Sequence, residues 1–111
     1  MTLAELVACS EAEAAVLPEA AVEIVRAYTS DLLSDVIAHA PDQSVLITVQ
    51  NHRNTVAVAT LVGCRAILVC HHREIPADMA EVAAAERVAV LRTRLNQFEA
   101  SCRIGRKLGD G

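Results

Sequence analysis

Aromatic residues are nearly missing from this chain: one Tyr, one Phe and no Trp in 111 residues. A core without rings must be built from Ala, Val, Leu and Ile, which suits a parallel sheet packed between helices. The same scarcity argues against single-stranded nucleic-acid binding, which stacks bases on aromatic platforms. Basic residues form no stripe. Ten Lys and Arg stand against fourteen Asp and Glu, for a net charge of −4. The densest basic cluster, Arg103, Arg106 and Lys107, suits the dipole of a helix end, so nucleic acid is not expected as a partner. Long hydrophobic runs are also absent. The most apolar region, Val56–Cys70, is broken by Thr60, Gly63 and Arg65 and is too short to span a bilayer, so no membrane partner is expected. Met1-Thr-Leu-Ala-Glu-Leu6 has no basic start before an apolar run, so a signal peptide is not evident. A cytoplasmic protein is expected, with Cys9, Cys64, Cys70 and Cys102 as free thiols. There is no phosphate-cradling Gly-x-x-x-x-Gly-Lys-Ser/Thr loop, because Gly105-Arg-Lys107 lacks both the upstream glycine and the hydroxyl residue. Nor is there a dinucleotide fingerprint, a nucleophile elbow or a paired-carboxylate site.

What is present is a regular alternation of strand and helix patterns in a single domain spanning residues 1–111. Thr2-x-x-Glu5 is a capping box that starts a helix over Leu3–Cys9. Ala12–Leu17 reads as a short strand. Ala21–Tyr28 alternates apolar and polar residues and reads as another. Ser30 or Asp31 then caps a helix over Leu32–His39, with Leu32, Leu33, Val36 and Ile37 on its apolar face. Strands at Ser44–Val49, Arg65–Cys70 and Val88–Leu91 alternate with helices at Asn54–Leu61, Pro76–Glu86 and Asn96–Leu108. Gly109-Asp-Gly111 should fray. This order predicts an α/β fold: a mostly parallel sheet covered by helices on both faces, with right-handed crossovers.

In such a sheet ligands bind outside the carboxyl ends of the strands. Gln50, Asn51, His52 and Asn54 sit there, where a buried strand meets a helix N-terminus whose free N–H groups can receive an anionic or polar ligand. One asparagine, Asn51 or Asn54, is expected to cap that helix. Tyr28, Thr29, Ser30 and Asp31 end another strand, with a capping role for Ser30 or Asp31. Thr93, Arg94 and Asn96 end the last strand and could complete a rim, although helix capping explains Asn96. His71, His72 and Arg73 follow a further strand. Ends of neighbouring strands lie about 5 Å apart, so His52 could share a crevice with Cys70, His71 and His72. Cysteine and histidine suit zinc, but this spacing is not a zinc signature. Cys70 beside His71 lacks the third orienting group that a cysteine nucleophile needs. No catalytic set is assigned and no cofactor is fixed.

Two segments carry a family likeness. Tyr28-Thr-Ser-Asp-Leu-Leu-Ser-Asp-Val-Ile37 and Ile47-Thr-Val-Gln-Asn-His-Arg-Asn-Thr-Val-Ala-Val-Ala59 resemble the DRTGG domain family, and especially small stand-alone DRTGG proteins similar to the N-terminal domain of HPr kinase/phosphorylase. The likeness implies a three-layer α/β/α domain, similar to the N-terminal domains of HPr kinase and MurF ligase. It implies a regulatory domain of the kind that accompanies kinase, phosphotransacetylase-like and CBS-pyrophosphatase modules. Small versions are associated with iron-only hydrogenase systems. Two departures stand out. The glycines of the family motif are absent near Glu23-Ile-Val-Arg-Ala27, and the small turn after the fourth strand is replaced by Cys70-His-His-Arg73. HPr kinase activity does not carry over without the P-loop.

The leading expectation is therefore a non-enzymatic regulatory or accessory domain. Its small, nucleotide-like or anionic ligand would sit in a crevice built from Tyr28, Ser30, Asp31, Gln50, Asn51, His52, Asn54, His71, His72, Arg73 and Thr93. The alternative is a homo-oligomeric interaction protein, a homodimer for instance, docking on a redox enzyme through its alanine-rich helices. A metal-dependent enzyme built on His52, Cys70, His71 and His72 is a third reading.

Overall fold

The computed structural model describes residues 1–110. In chain order the elements are α1 (Leu3–Cys9), β1 (Glu13–Val16), β2 (Arg26–Thr29), α2 (Leu33–His39), β3 (Ser44–Thr48), α3 (Arg53–Val62), β4 (Ala66–Val69), α4 (Ala77–Glu86), β5 (Ala89–Arg92) and α5 (Gln97–Asp110). The five strands form one sheet in the order β1-β5-β4-β3-β2. β2 to β5 run parallel, and β1 pairs antiparallel with β5.

The parallel strands step across the sheet in sequence order, so crossovers of one hand place α2, α3 and α4 on one face. That face holds Val36, Val56, Ala59, Met79 and Ala83 against Leu46, Ile67, Val69 and Val90. The opposite face packs Leu6 of α1 and Ala100 and Ile104 of α5 against Val45, Ile47, Ala66, Leu68, Ala89 and Leu91. Successive residues of β3, β4 and β5 thus alternate between two aliphatic cores, as strand geometry requires. The result is the expected three-layer α/β/α domain with a mostly parallel sheet.

Local signals explain most boundaries. The Thr2–Glu5 capping box forms in both directions. At the far end of α1, Ser10 Oγ donates to Leu6 O at 2.6 Å. Asn96 and Glu99 exchange backbone-to-side-chain bonds and start α5 in the same way as α1. Gly63 ends α3 at φ +83°, and Gln43 N–H donates to its carbonyl at 2.8 Å.

Three boundaries differ from the sequence reading. The strand expected over Ala21–Tyr28 forms only at Arg26–Thr29, because Ile24 instead exchanges bonds with Met1 and Glu23 bridges Thr2. The chain at Glu23–Ala27 has no residue at positive φ, so the missing family glycines cost it no backbone strain. α2 has Leu32 at its N-cap without a side-chain cap bond. Of its expected apolar face, Val36 is buried while Leu32 and Ile37 are exposed. Finally, α5 continues through Gly109 and Asp110 rather than fraying there, and Gly111 lies outside the described residues.

Two outcomes are expected. Gly63→Ala places a Cβ 3.0 Å from Asp42 Cβ at a left-handed φ, and should cost about 1–2 kcal/mol in urea unfolding. Glu5 ties α1 to α5 through Lys107, 3.2 Å away. Its carboxyl is lowered to about 2 by the Thr2 backbone N–H first and by Lys107 next. The stabilisation this gives is complete above pH 4.5 and is lost as the pH falls through about 2. Glu5→Gln should flatten that acid limb in a far-ultraviolet circular dichroism titration.

Candidate functional site

At the carboxyl ends of β2 and β3 the polar residues are bonded mainly to one another. Asp31 Oδ1 accepts from Thr48 Oγ1 at 3.0 Å, from Val49 N–H at 2.9 Å and from Gln97 Nε2 at 3.0 Å. Gln50 Nε2 donates to the carbonyl of Asp31 at 2.8 Å, and Thr55 Oγ1 donates to the carbonyl of Gln50 at 3.2 Å. A short carboxylate is suited to gather three donors from two other chain segments, because its oxygens only accept. The β2–α2 loop, the β3–α3 loop and the start of α5 are therefore tied together by one side chain. Ser30 Oγ, nearby, accepts from Leu32 N–H at 3.2 Å.

Between β4 and β5 the connections diverge, since α4 covers one face and α5 the other. Such a divergence opens the ligand crevice in many α/β sheets. Here it is closed by the chain itself. His71 N–H donates to Leu95 O at 3.0 Å, and His72 N–H donates to Thr93 O at 2.7 Å. Arg92 Nη2 donates to His72 O at 2.7 Å. Both histidines have positive φ, +61° and +51°, a backbone that costs a non-glycine residue on the order of 1 kcal/mol or more. The neighbouring loop bonds hold them there. Behind the turn Cys70 is buried, and burial first, then the charge of Asp31, pushes its thiol up to about 11. A protonated, enclosed thiol is not a nucleophile.

The polar surface left open lies at the first turns of α3 and α4. Asn51, His52, Arg53, Asn54, Pro76 and Asp78 line an open depression of about 490 Å³. His52 is the N-cap of α3 and Pro76 that of α4, and neither supplies a side-chain cap bond. The first turns of two helices thus border one depression, with His52, Arg53 and Asn54 exposed around it. Asn51 is fixed by donating to Glu74 O at 2.8 Å. Asp78 accepts from Met79 N–H at 2.8 Å.

The eleven residues expected to share one crevice are divided. Asn51, His52 and Asn54 line the depression, whereas Asp31 and Gln50 do not line it and are bonded to each other. Neither asparagine caps α3; the N-cap position belongs to His52. Neither Ser30 nor Asp31 caps α2, because the Asp31 side chain is committed to the strand ends. Tyr28 packs on the helical face and donates to Asp35 Oδ2 at 2.7 Å, which raises its hydroxyl and lowers the Asp35 carboxyl. Thr93 is buried, and its hydroxyl donates to Ser10 O and accepts from Leu95 N–H. His72 turns to Glu13 of β1 at 3.3 Å, and Arg73 donates to Val49 O at 3.2 Å. His52 and His72 line separate depressions. Among the described residues no three His, Cys, Asp or Glu side chains gather where one metal ion could be held. Arg53 and Asp78 were missed from the sequence. Arg53 stood inside the marked segment, but nothing local links Asp78 or Gln97 to it. Asp31→Ala, which orphans three donors, should lower stability by about 2–4 kcal/mol in urea unfolding, against about 1 kcal/mol for Gln97→Ala.

No family model matches the chain, and no curated protein matches it in sequence. A solved structure does match: the CBS and DRTGG domains of the regulatory region of Clostridium perfringens pyrophosphatase, complexed with the activator diadenosine tetraphosphate. The superposition has a TM-score of 0.75 at 14% identity and covers 93% of this chain. It covers 45% of the other, so this chain spans under half the length of that solved chain. Likeness at that identity is likeness of fold. Among the described residues, no helix is long and apolar enough to cross a membrane. The resemblance carried by residues 28–59 and the matched fold point the same way: this chain has a fold of the DRTGG type.

Proposed function

We propose that the chain is a regulatory domain that binds a nucleotide-like ligand in the depression between the first turns of α3 and α4. One observation carries the reading: two helix starts whose N-cap residues make no side-chain cap bond border the same open, polar hollow beside an exposed arginine and histidine. The positive ends of two helix dipoles favour an anion, and Arg53 adds a guanidinium suited to phosphate oxygens. Asp78 repels a bare anion but accepts from hydroxyl groups. A ligand that joins phosphate to sugar hydroxyls satisfies both. The volume lies within the usual range for small-molecule sites. The likeness to a regulatory region solved with a dinucleoside polyphosphate supports the same ligand class.

The residues argue for binding rather than catalysis. The cysteine at the strand ends is buried and protonated, and the strand-end carboxylate is occupied by three donors. His52, Arg53 and Asn54 can hold and orient a ligand, with Asp31 and Gln50 keeping their loop in place. Docking on a redox enzyme finds no support in the fold match.

The test is a thermal-shift and calorimetric titration with diadenosine tetraphosphate, ATP and AMP. Wild-type chain at 100 times Kd should gain about 2.7 kcal/mol of stability. Arg53→Ala and His52→Ala should lose most of that gain while unfolding normally without ligand, since both side chains are exposed. Absence of a shift with all three nucleotides, or an equal shift in both variants, rules the reading out.

A further inference from the structure

The sheet has two borders, and they are finished differently. β1 carries a register shift between Ala14 and Val16, and its Glu13 is drawn to His72 and Arg92. Bulges and charges of this kind discourage further pairing at an edge. β2 pairs with β3 in unbroken register, and its one charge, Arg26, is already bound to Asp42 at 2.7 Å. Arg26 and Ser30 donate their N–H groups to Gln43 and Ile47 on the β3 side. Strand alternation then turns the N–H and C=O of Ala27 and Thr29 outward. Apolar side chains stand at both ends of this same edge: Val25, 40% exposed, before it and Leu32, 64% exposed, after it. Phe98, the chain's single phenylalanine, is 77% exposed. It sits next to Gln97, whose amide bonds the Asp31 carboxylate beside Leu32.

We propose that a second copy of this chain pairs antiparallel along β2, joining the two five-stranded sheets across a two-fold axis at Tyr28. Centred there, Ala27 of one copy lies opposite Thr29 of the second, and these are the two residues with outward backbone groups. The reversed direction carries Leu32 of one copy towards Val25 of the other, so each exposed apolar end meets an apolar end. This match is a property of self-pairing, because a two-fold contact presents the same patch twice. The contact leaves the α3–α4 depression open, so it stands or falls apart from ligand binding.

The test is sedimentation equilibrium of the full chain and three variants, up to about 100 µM protein, a range that reads a micromolar Kd. The wild type should show twice the 11.8 kDa chain mass. Ala27→Pro removes an outward N–H without touching the β2–β3 ladder, and Leu32→Glu places a charge on an exposed position. Each should weaken self-association by about tenfold or more, with circular dichroism unchanged for Leu32→Glu. Leu61→Glu, on an exposed position of α3, should leave it intact. A wild type that stays at 11.8 kDa overturns the proposal. So does a dimer undiminished in Leu32→Glu, or one equally weakened by Leu61→Glu.

Discussion

β3 is buried along its whole length, from Ser44 to Thr48, and keeping it so dictates the rest of the domain. A strand covered on both faces needs a helical layer on each side. With almost no aromatic residues, those layers must approach closely and fill the gap with small aliphatic side chains. Val45 and Ile47 face α1 and α5, while Leu46 faces α2, α3 and α4. The alanines of α3, α4 and α5 at these contacts, Ala59, Ala83 and Ala100, are buried. The alanine excess is thus the packing solution to a ring-free core.

A strand enclosed in this way can expose polar chemistry only at its ends. At the carboxyl ends, much of that chemistry is spent on architecture. Asp31 is the centre: it draws Thr48, Val49 and Gln97 together and so fixes where the β3–α3 loop leaves the sheet. The geometry of α3's first turn follows from that anchor. A surface of exposed side chains keeps its shape only on a rigid support, and the Asp31–Gln50 bond fixes the start of the loop that leads to His52 and Arg53.

The His71–His72 turn belongs to the same economy of space. The sheet has a place where its connections diverge, yet the backbone closes it, with two residues held in a left-handed conformation. Polar and functional groups are displaced to one side, towards the starts of α3 and α4. The sheet end is therefore asymmetric: sealed between β4 and β5, braced between β2 and β3, and open beyond the helix starts.

The sequence by itself determined the layer order, the strand and helix alternation, the central strands, the capping box at Thr2 and a helix cap at Asn96, because these rest on periodicity and contacts a few residues apart. It also marked residues 50–54 as the place to look, since a buried run breaking into polar residues is a local pattern. Tertiary structure alone decided which of those residues face outward. Asp31 and Gln97 lie 66 positions apart, and Thr93 finds Ser10 across 83; no local spacing encodes such pairs. It also decided that Ile24 pairs with Met1 instead of extending β2, and that two histidines adopt the left-handed turn that closes the sheet. Each was a competition between a local preference and a hydrogen bond from a distant segment, and the buried or bonded alternative won.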